Sequence, residues 1–157
     1  MAIRCYIPTT LTALSNGLQS VQAVAPDAQG RSLSGADFET QEFDALCIAA
    51  ALAAAEAFER ADESGAARRA VVAYDAAESS SSNQLTAGFD LLTLDRIDMS
   101  AVASIHLDED EVWDEALDIA ARQGHAAAED RLGDSDLLWY DVTELPQLLN
   151  KDGETTN

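Results

Sequence analysis

Lysine is almost missing from this chain of 157 residues. Lys151 is the one example, and Lys and Arg together number 9 against 29 Asp and Glu, a net charge of −20. Proteins that grip phosphate backbones displace counterions with Lys and Arg, so this balance excludes a nucleic-acid binder. Cysteine is nearly as scarce. Cys5 and Cys47 form no Cys-x-x-Cys and no Cys/His cluster at zinc spacing. Each lies in an apolar pattern, and two buried free thiols acting as small hydrophobes are expected. No basic segment leads into an apolar one at the start, and the most apolar run, 45–57, is rich in Ala, carries Glu56 and is too short for a bilayer. A soluble cytoplasmic protein with no membrane partner is expected. The sequence also lacks a Walker loop, GxGxxG, GxSxG and HExxH, so no cofactor is expected.

What is present is a globular composition. Hydrophobic residues make up 47% of the chain, enough for one core, and a single α+β domain over 1–150 with a disordered tail at 151–157 follows. The acids are scattered along the chain, which suits self-repulsion that keeps a protein soluble.

Residues 3–8 alternate: Ile3, Cys5 and Ile7 face one way, Arg4 and Tyr6 the other, a half-buried strand that Pro8 stops. Thr9 or Thr10 caps a helix carrying Leu11, Leu14, Leu18 and Val21. Residues 24–37, with Pro26, Gly30 and Gly35, read as a loop. From Phe38 to Glu63 a long helix runs with the stripe Phe43, Leu46, Cys47, Ala50, Ala54, Ala57, Phe58 and Ala61, ending at Gly65. Ala70–Tyr74 is a central strand, Ser79–Ser82 with Asn83 a turn or loop, and Phe89–Leu94 a short strand.

In Val102–Leu107, Ala103, Ile105 and Leu107 face one side of a strand and Val102, Ser104 and His106 the other. Asp108–Glu111 opens a helix with the stripe Val112, Trp113, Ala116, Leu117 and Ala120, acids being favoured at its positive end. A short helix at His125–Leu132, a last strand at Leu137–Val142 and a helical turn at Glu144–Leu149 follow. This order predicts a split βαβ (ferredoxin-like) variant, with a mostly antiparallel sheet of four or five strands and helices mainly on one face. An α/β doubly wound sheet is the alternative.

Few motifs carry chemistry. Gly133-Asp134-Ser135 reads as a polar turn, and His125 with Glu129 as helix surface. No metal is expected; His106, Asp108 and Asp110, at a strand's end, come nearest to a set of ligands. Trp139 and Tyr140 must point to opposite faces of the last strand. With the helices on one side, the other side of the sheet would present Arg4, Tyr6, Ser104, His106, Trp139 and Asp141 as an open binding face.

Three segments, Tyr6-Ile7-Pro8-Thr9-Thr10-Leu11, Ala103-Ser104-Ile105-His106-Leu107-Asp108 and Leu138-Trp139-Tyr140-Asp141-Val142-Thr143-Glu144-Leu145-Pro146, resemble a family of small acidic, uncharacterised actinobacterial proteins. The resemblance implies a cytosolic bacterial protein and carries no catalytic residues. The leading expectation is therefore a non-enzymatic domain that forms a homo-oligomer or binds a protein partner through the open sheet face. The alternatives are a small-molecule or metal-assisted enzyme near His106 and Asp108, with Tyr6 as a further acid–base group, and a nucleic-acid mimic that binds a basic protein.

Overall fold

The computed structural model describes residues 2–61, 66–77 and 80–149. Strand β1 (Ala2–Thr10) leads into helix α1 (Leu11–Asn16), then β2 (Gln19–Pro26), the short α2 (Ala28–Arg31) and the long α3 (Gly35–Glu59). β3 (Arg69–Ala77), β4 (Ser81–Thr86), β5 (Phe89–Arg96) and β6 (Val102–Leu107) follow. α4 (Asp110–Gln123), α5 (His125–Gly133) and β7 (Leu138–Tyr140) complete the labelled elements, before a helical turn at 145–149. The seven strands form one open sheet in the order β4-β5-β2-β1-β3-β6-β7.

The α+β class stands, with more strands than expected. All the strand pairings are antiparallel. A doubly wound sheet needs neighbouring parallel strands, so that alternative does not emerge, and the sheet has seven strands rather than the four or five expected. The additional strands are β2 and β4. Leu18 and Val21 fit helical spacing after Leu14, yet α1 stops at Gly17, whose φ is +88°, and β2 begins at Gln19, with Ser20 at φ +52° near its start. Both residues still pack in the cluster of Leu11 and Leu14, from a turn and a strand. Thr10 is the cap, its side chain accepting from the Ala13 N–H at 3.2 Å. Residues 24–37, expected as a loop, contain the end of β2, all of α2 and the first turn of α3. Ser81–Thr86 is an edge strand, while Ser79 and Gly65 lie outside the described residues.

Helices cover both sheet faces, which corrects the expectation of one open side. α3 lies over Tyr6, Val24, Val71 and Ala73, meeting them with Ala45, Ala49 and Ala53. Side chains this small let a helix approach a sheet closely. The opposite face carries Cys5, Ile7, Ala25, Val72, Leu92 and Ile105, and is covered by Leu11 and Leu14 of α1 and by Val142, Leu145 and Leu148 near the C-terminus. β1 is thus buried on both sides despite its alternating sequence. α4 and α5 pack on the second half of α3: Trp113, Ala116, Ala128 and Leu132 meet Ala54, Ala57 and Phe58. The Phe58 and Trp113 rings stack at 5.7 Å.

Ala54, Ala57 and Phe58 of the predicted stripe are buried as expected, but the first half of α3 is turned in a different phase. Ala45, Ala49 and Ala53 are fully buried, whereas Phe43 is 55% exposed and Cys47 is an exposed free thiol. Cys5 is buried as expected. In a helix so rich in alanine, most faces are apolar enough to be the inner one, and size decides. Ala49→Leu should therefore destabilise the fold by about 1–3 kcal/mol through overpacking, while Cys47→Leu should stay within about 0.5 kcal/mol. Urea denaturation of the two variants tests this phase; a costlier change at Cys47 would reverse it.

Candidate functional site

Register brings most of the predicted site residues to one side of the sheet. Tyr6 lies opposite Ala73, Ala73 opposite Ser104, Val71 opposite His106, and His106 opposite Trp139. The side they share is the one under α3. Tyr6, Ser104 and His106 are consequently buried, and the open binding face expected there does not exist as such.

Ser104 Oγ and His106 Nε2 are joined by a hydrogen bond of 2.9 Å, two residues apart on β6. Burial holds the His106 imidazole below its ordinary pKa and so keeps it neutral. A Ser–His pair suggests nucleophilic chemistry, but such a base needs a third group to orient it. Among the described residues no carboxylate hydrogen-bonds to His106. Tyr6 lies two strands from Ser104, about 10 Å at ordinary strand spacing, and burial pushes its hydroxyl up to about 12. The acid–base constellation of Tyr6, His106 and Asp108 is therefore not assembled.

Asp108 has a different role from the solvated helix start it was expected to be. Arg69, the first residue of β3, donates to it from Nε at 2.7 Å and from Nη2 at 2.8 Å. The same guanidinium donates from Nη1 to the Ala50 carbonyl of α3 and from Nη2 to the Leu132 carbonyl of α5, both at 3.0 Å. Arg69 is 2% exposed and Asp108 1%. Both carboxylate oxygens are taken by a cation already in place. Asp110, exposed at the start of α4, pairs with Arg68. The candidate metal set of His106, Asp108 and Asp110 thus dissolves into one hydrogen bond and two ion pairs.

The other predicted residues are dispersed. Arg4 donates to Asp75 on the neighbouring strand from Nε at 2.7 Å, and this contact holds its pKa above the usual arginine value. Asp141 caps the turn at Val142–Glu144, accepting from the Thr143 N–H at 3.0 Å and Oγ1 at 2.6 Å, and Thr143 lowers its pKa. Trp139 is 62% exposed on β7, an edge of the sheet, while Tyr140 turns into the opposite core. Three strand steps, about 14 Å, separate the strand of Arg4 from that of Trp139.

Two depressions among the described residues bear on the predicted sites. One, of about 270 Å³, is lined by Arg4, Asp75, Pro26, Arg31, Phe38 and Glu42. The other, of about 460 Å³, runs between α3 and α5, with Cys47, Ala50, Arg69, Glu129, Asp130 and Ser135 among its lining. Sequence reasoning missed the first because Pro26 and Arg31 lay in a presumed loop. The polar turn at Gly133–Ser135 is confirmed in form: the Ser135 N–H donates to the Leu132 carbonyl at 3.2 Å, and Arg131 donates to Ser135 Oγ at 2.6 Å.

Asp108→Asn should cost about 3–5 kcal/mol, because it leaves the buried Arg69 charge uncompensated; a thermal midpoint near that of the native chain would remove the pair from its central place. His106 gives a pH signature. Its folded pKa lies below the unfolded value of 6.5, so as pH falls through 6.5 the unfolded chain takes up a proton that the folded chain refuses. That contribution to stability is present above 6.5 and is lost below it. His106→Gln should lose less stability than the native chain between neutral pH and about pH 5, as read by denaturation at both.

In comparisons with known proteins, a model described as a family of unknown function, DUF6912, matches residues 3–149. No curated protein and no solved structure matches the chain.

Proposed function

The chain belongs to that family, DUF6912, and from this premise we propose that it is a cytoplasmic, actinobacterial protein-binding domain that takes an extended basic segment of a partner along β7. The observation that carries the reading is Trp139, 62% exposed on a strand that ends the sheet. Beside it Leu138 is 37% exposed. An edge strand offers unpaired backbone groups to another strand, and indole is among the side chains that dominate binding interfaces.

Charge selects the occupant. β7 is bracketed by Asp134, Asp136 and Asp141 in a chain of net charge −20. A second copy would bring the same charge to the contact, whereas a basic strand brings attraction and faster encounter. The two thiols, both free, fit a reducing compartment. No described helix is long and apolar enough to cross a membrane.

Trp139 reports on its own edge because the other tryptophan, Trp113, is 4% exposed in the core. Titration with peptides alternating Arg with apolar residues should shift the Trp139 emission to the blue and protect amides of residues 138–140 from hydrogen exchange. Added salt should weaken binding, and Trp139→Ser should weaken it about tenfold or more. Unchanged emission and exchange would overturn the proposal. A concentration-dependent dimer that protects the same amides would overturn the choice of partner in favour of a second copy.

A further inference from the structure

A separate site lies toward the far edge of the sheet from β7, in the cavity of about 270 Å³. Its floor is the Arg4–Asp75 pair on β1 and β3. Phe38 and Glu42, one turn apart on α3, line it from the helix, while Pro26 at the end of β2 and Arg31 on α2 close the side. The volume is just below the range of drug-sized pockets, so the ligand it suits is small.

Arginines are few; Arg4, Arg60, Arg68, Arg69, Arg122 and Arg131 each meet a carboxylate within the protein, while Arg96 is exposed on β5. Arg31 donates from Nη1 to the Pro26 carbonyl at 2.6 Å and pairs with no carboxylate among the described residues. Glu42 lines the same cavity and makes no hydrogen bond or ion pair among the described residues, though it feels the Arg4 charge. Burial raises its pKa. Arg4 and Asp75 satisfy each other. The open groups are thus one cation and one anion, with a phenyl ring, a proline and Ile3 beside them.

We propose that this cavity binds a small zwitterion, a free α-amino acid with an apolar side chain, whose carboxylate meets Arg31 and whose ammonium meets Glu42. A planar guanidinium with unused N–H groups is suited to a carboxylate. A ligand with one charge would leave the opposite protein charge without a partner in a partly dehydrated site. Phe38 and Pro26 supply the wall for the side chain.

The test is an NMR titration of the full chain with L-valine, L-leucine and L-phenylalanine, set against N-acetyl-L-leucine, which lacks the ammonium, and L-leucinamide, which lacks the carboxylate. At least one free amino acid should move the amides of residues 31, 38 and 42. Each blocked form should bind about tenfold or more weakly, and Arg31→Gln and Glu42→Gln should each cost as much. The blocked ligands probe the intact protein, so this arm does not depend on a variant folding. Trp139→Ser should leave amino-acid binding unchanged, which separates this site from the edge of β7. No shift at millimolar ligand, or equal binding of either blocked form, would overturn the proposal.

Discussion

One buried ion pair joins the parts of this molecule that packing alone holds loosely. Arg69 and Asp108 are enclosed where β3, the end of β6, α3 and α5 converge, and the guanidinium makes four hydrogen bonds there, two to the carboxylate and two to helix carbonyls. Removing both charges from water is expensive, and only such complete pairing offsets it. The gain is orientation. α4 and α5 bury their apolar residues on α3 rather than on the sheet, and Arg69 reaches from a strand to the last turn of α5. Leu132 sits beside the C-terminus of that helix, where carbonyls lack intrahelical partners and a cation is electrostatically favoured.

The same pair explains why the β6 end is not a metal or acid–base site. Carboxylates at the end of a strand invite that reading, and Asp108 shares its parity with Ser104 and His106. Its partner is 39 positions earlier in the chain, at the start of a strand whose sequence shows only an arginine before an apolar run. No local pattern announces the contact. Once the guanidinium is placed, the oxygens are spent, and His106 is left with a serine as its hydrogen-bond partner.

Much of the strand content was legible. Alternation at 3–8 and 102–107 placed two strands and correctly grouped Tyr6, Ser104, His106 and Trp139 by side. It did not show which side the helices cover. Alternation is ordinarily read as one wet face and one dry face, but here the polar-looking parity includes Tyr6 under α3, and the apolar parity is covered by α1 and the C-terminal turn. α3 was legible as a helix and not as an orientation, because alanine at 45, 49 and 53 carries little hydrophobic contrast against Phe43 or Cys47. β2 was lost for a related reason: Leu18 and Val21 satisfy a helical period by coincidence, and the positive φ at Gly17 that ends the helix has no periodic signature.

With both faces covered, recognition moves to the perimeter, and the two edges of the sheet differ there. β4, Ser81–Thr86, is largely polar, and its first four residues are exposed Ser, Ser, Asn and Gln, a composition that discourages pairing with another chain. β7 is short but carries Leu138 and Trp139 outward, between acids. Apolar exposure of that kind costs solubility unless charge offsets it, and the net charge of −20 does so for the free protein through mutual repulsion. Repulsion acts between like copies only. Toward a basic partner the same charge attracts, so the acidity that keeps one copy from another leaves the tryptophan edge available to a strand of opposite sign.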